Sequence, residues 1–305
     1  MAPGRRLGMS IRYVEILAGV DRDGKPEAVR SVRLEMGEVT CVIGPTGSGK
    51  TALITDIELL ADKNTPSGRR ALINGNPQAA DTPVKPANNP IAMITQHTNF
   101  LSDLPVDEFL SIHARVRGNG SADMTGATLD FANQLTGEPV NPKSPMTQLS
   151  GGQTRALLIA DAVVIGAAPI LLLDEIENAG INRARALELL RMRRKIFIFV
   201  THDPRIALLS DLRIVMAGGG MVKAIRASAG EKALGEKIAA MDLALDSVKR
   251  RLWEGGTLDA AAEEALLAPG AVELAGMAEK FGAHPSDAGL IGRAMALGAV
   301  FGGKP

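Results

Sequence analysis

The chain has 305 residues, 46% of them apolar, and a formal net charge of zero. These values predict a globular protein with a sizeable core, and they exclude binding to nucleic acid or to an anionic membrane through net charge. The single cysteine, Cys41, excludes a disulfide framework and fits a reducing cytoplasm. The longest uncharged apolar run is shorter than the roughly 18 residues of a membrane span, and no signal-peptide core follows Arg6, so we expect neither a span nor export.

The first predicted elements in chain order are strands. Residues 9–43 are rich in β-forming residues and carry turn signals at residues 21–24 and 36–37. The last of these strands, Val39–Ile43, runs into residues 44–51, which read Gly-Pro-Thr-Gly-Ser-Gly-Lys-Thr, and an apolar helix face follows. This order of strand, glycine-rich loop and helix is that of the phosphate-binding loop G-x-x-x-x-G-K-[ST].

The phosphate-binding loop supplies the first candidate site residues. In such a loop backbone N–H groups wrap the phosphates, the lysine reaches the outer phosphates and the final hydroxyl binds Mg2+. The glycines let the backbone approach the anion, and the helix that starts near Lys50 directs its positive dipole end at the phosphates. The predicted nucleotide-binding residues here are Gly44, Pro45, Thr46, Gly47, Ser48, Gly49, Lys50 and Thr51.

Beyond the loop, short strands alternate with helices. Strands are predicted at residues 68–75, 91–95, 170–173 and 195–200, and helices at residues 104–138, 150–165 and 183–193. The strand at 170–173 places Asp174 and Glu175 at its carboxyl end, which is where α/β sheets carry their chemistry. The alternation of buried strands and helices predicts a largely parallel sheet.

The C-terminal part differs in composition. Residues 230–253 predict a charged amphipathic helix with apolar residues at heptad spacing. Two interpretations stay open for it: a helix packed on its own domain, and a helix that dimerises or binds a partner. Residues 255–305 are rich in alanine and glycine and predict a loosely helical appendage with no visible chemistry.

Over about residues 10–222 the sequence resembles the ATP-binding cassette (ABC) ATPase family. Five motifs carry the resemblance in order: the loop at 44–51, Gln96 after a strand, Leu-Ser-Gly-Gly-Gln at 149–153, Asp174-Glu175 after a buried strand, and Thr201-His202-Asp203. The Leu-Ser-Gly-Gly-Gln segment is highly specific to this family.

The resemblance implies a fold class and a domain plan. The fold would be an α/β P-loop NTPase of ABC type, with a mostly parallel core sheet, an antiparallel β subdomain and a helical subdomain at about residues 97–165. The ABC ATPase domain would cover residues 1–222, and an α-helical, Ala/Gly-rich C-terminal extension would cover residues 223–305.

The resemblance also implies ATP and Mg2+ as cofactors and a pair of cassettes, as a homodimer or with a second cassette. ATP would lie between the phosphate loop of one cassette and a segment of the other, and that segment is Ser150, Gly151, Gly152 and Gln153. Lys50 would bind the β- and γ-phosphates. The implied metal ligands are Thr51, Gln96 and Asp174, and the implied catalytic residues are Glu175 as general base, His202 at the γ-phosphate and Gln96 near the attacking water.

Three positions depart from the family pattern. Where the family stacks adenine on an aromatic side chain this sequence has a position near Val20, and its tyrosine, Tyr13, lies seven residues earlier. Asn182 stands where an aspartate is expected, in a loop that is one residue longer than usual. Asp161 stands where transporter cassettes usually carry arginine. The histidines outside the motifs, His97, His113 and His284, are interpreted as core or surface residues.

ATP hydrolysis would drive a conformational change in a partner, and two classes of partner stay open. The first is a set of separate membrane-spanning permease subunits that dock near Gln96 and residues 97–140. This partner would place the chain in the cytoplasm or on the inner face of the cell membrane. The second is a soluble client protein that the ATPase remodels or activates, for example in metalloenzyme maturation. The arginines of residues 183–195 are interpreted as a solvated helix face, so no strong nucleic-acid signal is present.

Overall fold

The computed structural model of the chain describes residues 11–77, 89–95, 97–118, 122–166, 168–174 and 183–257, and it divides into two units, residues 1–229 and 230–305. The strands are β1 (Tyr13–Leu17), β2 (Ser31–Glu35), β3 (Val39–Ile43), β4 (Arg70–Ile73), β5 (Ile91–Ile94), β6 (Ile170–Asp174), β7 (Ile196–Val200), β8 (Leu212–Ala217) and β9 (Gly220–Arg226). The helices are α1 (Lys50–Glu58), α2 (Val106–Val116), α3 (Ala122–Leu135), α4 (Gly151–Val164), α5 (Arg183–Arg191), α6 (Pro204–Leu209) and α7 (Ala229–Trp253).

A six-stranded sheet in the order β5-β6-β7-β3-β8-β9 forms the centre of the first unit. All its neighbouring strands pair in parallel except β8 and β9, which are antiparallel. Strands β6 and β7 are apolar at nearly every position because both faces of a parallel sheet are covered. The predicted mostly parallel core is confirmed, and β3 lies inside it, so the phosphate loop leaves the sheet between β7 and β8.

A second sheet is antiparallel, with the order β2-β1-β4. Its side chains alternate with the period of two that one buried face requires: Val14 and Ile16 are buried in β1, as are Val32 and Leu34 in β2. The turn after β4 has positive φ at Asn74 and at Gly75, as expected for an Asn-Gly turn. The predicted antiparallel β subdomain is thus confirmed.

Apolar side chains cover the two faces of the six-stranded sheet with different elements. One cluster joins Cys41, Leu173 and Phe199 to buried side chains of α2 to α6, and the other joins Val42 and Leu172 to α1 and the antiparallel sheet. Neighbouring residues of one strand belong to different clusters because side chains alternate across a sheet. Cys41 is fully buried, as predicted for a small apolar side chain.

A buried ion network joins the antiparallel sheet to the central sheet. Arg69, which is fully buried, donates to Glu27 at 2.7 Å and to Asp56 at 2.8 Å. Its Nη2 also donates to the carbonyl of Gly219, in the turn between β8 and β9, at 2.7 Å. Burial alone would lower the pKa of Arg69, and hydrogen bonds from its guanidinium to the two carboxylates raise that pKa above its usual value.

The second unit contains α7, which confirms the helix predicted at residues 230–253. Its exposed apolar side chains include Leu245, Leu252 and Trp253. Residues 258–305, and with them most of the predicted appendage, lie outside the described residues. The domain boundary at residue 222 stays a prediction, and β9 continues to Arg226. In the part of the chain that the structure describes, no helix is long and apolar enough to cross a membrane.

Candidate functional site

The phosphate loop connects β3 to α1, and its glycines occupy positions that a side chain would block. Gly49 has φ 98°, and a Cβ there would lie 2.8 Å from Cα of Gly219. A Cβ on Gly44 would lie 2.4 Å from the carbonyl oxygen of Met216. The loop therefore packs directly on the β8–β9 hairpin, and its shape depends on the absence of side chains at these two positions.

The contrast between Gly49 and Gly47 gives a prediction. Gly47 also has positive φ, 76°, but a Cβ there would meet nothing within 4 Å. We expect Gly47→Ala to cost about 1–2 kcal/mol, the cost of a left-handed residue. Gly49→Ala should cost more, since it adds a backbone clash, and it should also weaken ATP binding. Urea unfolding and ATP titration of both variants test this, and equal losses would contradict it.

Lys50 is the first residue of α1 and is largely buried. Its Nζ donates to the carbonyls of Gly44, at 2.8 Å, and Pro45, at 3.1 Å. The lysine thus crosses its own loop and holds a positive charge inside the curve of the backbone. A loop of this kind, with a lysine and a helix N-terminus, is a built site for an anion.

A cavity of about 390 Å3 opens beside the loop. Seven of the predicted site residues line it: Thr46, Gly47, Gly49, Lys50, Thr51, Asp174 and His202. Gly44, Pro45 and Ser48 belong to the same loop but are not among the lining residues. Gln96 and Glu175, for which catalytic roles are predicted, lie outside the described residues, as does Asn182.

The sheet order explains why distant residues meet in this cavity. Strands β5, β6 and β7 are parallel neighbours, so His97, Asp174 and His202 all come from the carboxyl ends of adjacent strands. The phosphate loop follows β3, the next strand in the same sheet. One edge of the sheet therefore brings together an anion-binding loop, a carboxylate and two imidazoles.

The lining residues fit a magnesium nucleotide. Thr51 offers a hydroxyl and Asp174 a carboxylate, and Mg2+ prefers such oxygen ligands, taking one or two carboxylates together with phosphate oxygens and water. Among the described residues no group of three or more His, Cys, Asp or Glu side chains could hold a metal ion. The hydroxyl of Thr51 and the carboxylate of Asp174 suit an ion that arrives with phosphates.

The Leu-Ser-Gly-Gly-Gln segment does not line this cavity. Ser150 is the N-cap of α4, and its Oγ accepts from the backbone N–H of Gln153 while the Gln153 side chain accepts from the N–H of Ser150. Ser150 Oγ also donates to Glu138 at 3.3 Å. The capping box fixes the N-terminus of α4, which is exposed at Ser150 and Gly151. The predicted site residues of this segment are consecutive there: Ser150, Gly151, Gly152 and Gln153.

Four lining residues were not predicted from the sequence: Arg22, Thr95, His97 and Val200. For His97 the prediction was a core or surface role, and its position directly after Gln96 was the available signal. Arg22 lies in the predicted turn at residues 21–24, two residues beyond Val20, which is near the position of the family's adenine-stacking side chain. Asp161, the unusual residue of α4, pairs with His113 of α2 at 2.7 Å, so that both side chains serve helix packing.

Comparisons with known proteins agree with this geometry. A family model described as ABC transporter matches residues 29–178. The uncharacterized ABC transporter ATP-binding protein MJ0121 of Methanocaldococcus jannaschii is 45% identical over 250 residues, which are 82% of this chain and 96% of that protein. The spermidine/putrescine import ATP-binding protein PotA of Methylococcus capsulatus is 30% identical over 64% of this chain, and the match spans 51% of its own length.

Among solved structures, a dimeric post-hydrolysis state of the ATP-binding cassette MJ0796 bound to ADP and Pi matches with a TM-score of 0.54. It is 21% identical, and the match covers 70% of this chain and 99% of that one. At this identity the likeness concerns the fold.

Proposed function

The chain belongs to the ABC family of transporter ATP-binding proteins, and on that premise we propose that it is the ATP-hydrolysing subunit of a membrane transporter. It is a P-loop ATPase that binds ATP. The observation that carries the proposal is the convergence of Lys50, Thr51, Asp174 and His202 on one cavity beside a glycine-built anion loop.

Each of these side chains has a chemical role in the proposal. Lys50 binds the β- and γ-phosphates, and its charge offsets the charge that builds up on the transferred phosphoryl group. Thr51 and Asp174 would hold Mg2+, which neutralises phosphate charge when bound. His202, at the end of β7, contacts the γ-phosphate and fixes its position relative to Asp174.

Two further roles rest on sequence position. Glu175 follows Asp174 directly and is proposed as the general base that accepts a proton from the attacking water. Gln96 follows β5 and is proposed to orient that water and to ligate the metal.

The working unit in this proposal is a pair of cassettes. Ser150, Gly151, Gly152 and Gln153 form an exposed helix N-terminus, which attracts phosphate. These residues do not line the cavity of their own chain. In the proposal they contact ATP that is held by a second cassette, and the dimeric state of the structurally similar MJ0796 cassette supports such a pairing. ATP would then join the two cassettes and its hydrolysis would release them.

We propose that separate membrane-spanning subunits receive the conformational change that ATP hydrolysis drives. The support is the family membership together with the name of the PotA relative, an import ATP-binding protein. In this role the chain works in the cytoplasm, at the inner face of the membrane. These relatives favour a permease over a soluble client such as a maturing metalloenzyme.

The variant Glu175→Gln tests the catalytic part. Loss of the base should leave ATP binding intact and lower the hydrolysis rate by roughly 100- to 10,000-fold, which is the usual contribution of general base catalysis. The stalled protein should accumulate as an ATP-dependent dimer, measured by light scattering and phosphate release. A variant that hydrolyses ATP at the normal rate would exclude Glu175 as the base.

The same variant tests the transport part. Glu175→Gln protein in ATP, used as bait in detergent-solubilised membranes of its native cell, should recover polytopic membrane subunits. The double variant that adds Lys50→Ala is the control, because its much weaker ATP binding should sharply lower the recovery of these subunits. Recovery of a soluble enzyme with the first bait alone would overturn the transporter assignment in favour of a client protein.

A further inference from the structure

Arg22 occupies a fixed place at the rim of the ATP cavity. Its turn is held by Asp21, whose Oδ1 accepts from the backbone N–H groups of Asp23, at 2.9 Å, and Lys25, at 2.8 Å. The N–H of Arg22 donates to the carbonyl of Gly218 at 2.9 Å. A Cβ on Gly219 would lie 3.0 Å from the same nitrogen, so the backbone of Arg22 rests on a hairpin turn that glycine keeps open.

The side chain of Arg22 reaches the phosphate loop from outside. Its Nη2 donates to the carbonyl of Gly47 at 2.6 Å, and the side chain lines the cavity while the residue stays exposed. In a phosphate-binding loop the N–H groups converge on the anion. The guanidinium of Arg22 donates to the carbonyl of Gly47 on the exposed outside of this loop, whereas the largely buried Lys50 lies inside its curve.

The sheet order shows which part of a nucleotide this rim would meet. Asp174 and His202 come from β6 and β7, on one side of β3, and in the proposed function they lie at the γ-phosphate. Arg22 contacts the β8–β9 turn, on the other side of β3. A nucleotide whose γ-phosphate lies near Asp174 would extend its ribose and base toward the side where Arg22 stands.

A nucleobase needs a flat surface, and among the described residues no Phe, Tyr or Trp ring lines the cavity. The two imidazoles that line it, His97 and His202, follow β5 and β7, on the other side of β3 from the β8–β9 turn. The ring of Tyr13 packs under the guanidinium of Arg33, at 4.1 Å, and Phe197 and Phe199 are buried within β7. A guanidinium is planar and stacks on π systems, and it carries its charge without strong hydration.

We propose that Arg22 binds the nucleobase of ATP, with its guanidinium plane stacked on the face of the base on the β8–β9 side of the phosphate loop. The bond to the Gly47 carbonyl sets the position of the guanidinium plane. Stacking uses the face of the base and not its hydrogen-bonding edge, and both purines present such a face. Arg22 should therefore contribute about equally to the binding of ATP and of GTP.

The inference rests on the proposed ATP site, and comparing ATP with inorganic tripolyphosphate separates the two. In Mg2+ buffer, Arg22→Ala in the full chain should weaken ATP binding about 2- to 30-fold, the range of a cation–π contact, and leave tripolyphosphate binding unchanged. Lys25→Ala, an exposed cation of the same turn, is the matched control and should change neither affinity. Lys50→Ala should weaken both ligands.

A second variant keeps the test decisive if tripolyphosphate binds too weakly to measure. Arg22→Trp, made in a Trp253→Phe background, puts a flat uncharged ring at the same place, and ATP should change its fluorescence and bind within about threefold of the parent affinity. Equal weakening of ATP and tripolyphosphate in Arg22→Ala would show a phosphate contact and overturn the inference. Unchanged ATP affinity in Arg22→Ala would also overturn the inference, and so would the absence of a fluorescence response to ATP in Arg22→Trp. Loss of all nucleotide binding in the parent protein would instead refute the ATP site.

Discussion

Lys50→Ala should raise the dissociation constant for ATP by roughly 100-fold, since two hydrogen bonds from a charged donor contribute about 3 kcal/mol in total. In the structure the ammonium group spans its own loop, with donations to Gly44 and Pro45. When ATP binds, the same group can exchange those carbonyls for phosphate oxygens. Isothermal titration with ATP, in Mg2+ buffer, measures the change.

The control for this variant removes a different lysine, Lys25, from the turn whose Arg22 contacts the phosphate loop. Lys25 is exposed and pairs with Asp23 at 3.7 Å, so Lys25→Ala should leave the ATP dissociation constant within about twofold, as expected for a surface charge pair. Circular dichroism should show that both variants are folded. If the two lysine variants bind ATP equally well, Lys50 is not a phosphate ligand.

Arg69→Met should lower the free energy of unfolding by about 3–5 kcal/mol, because it leaves the carboxylates of Glu27 and Asp56 buried without their cation. That loss is a large share of the roughly 5–15 kcal/mol that stabilises a typical domain. The Arg69→Met substitution also removes the donor to the carbonyl of Gly219. The N–H of Gly219 in turn donates to the carbonyl of Ser48, in the phosphate loop, at 2.9 Å. Urea denaturation followed by circular dichroism measures the effect.

The neighbouring arginine supplies the matched control. Arg70 pairs with Asp62 at 2.5 Å, but both side chains are partly exposed, so Arg70→Met should cost only about 0–1 kcal/mol. Combining Arg69→Met with Glu27→Gln and Asp56→Asn should recover part of the loss, since no buried charge remains unpaired. A cost for Arg69→Met that is no larger than that for Arg70→Met would disprove the structural role of the buried network.

The sequence alone was enough to predict the phosphate loop and most of the cavity. Val39–Ile43, the glycines of residues 44–51 and the helix that follows are adjacent in the chain, and local spacing reports local backbone geometry. Asp174 and His202 were also predictable, because each ends a buried apolar strand and such strands place their carboxyl ends at one edge of a parallel sheet.

The order of the strands, and what it brings together, was decided by the tertiary structure. Arg69 and Gly219 are 150 positions apart, and nothing in the sequence near Arg69 indicates that it binds a hairpin turn beside the phosphate loop. Arg22 is a similar case, since its turn was predictable but its contact with Gly218 and Gly47 was not. Periodicity and turn signals describe each element by itself. Which distant elements pack against each other depends on strand pairing and on the burial of both sheet faces. These two features bring Arg22 to the edge of the cavity and Arg69 to the hairpin turn that contacts the phosphate loop.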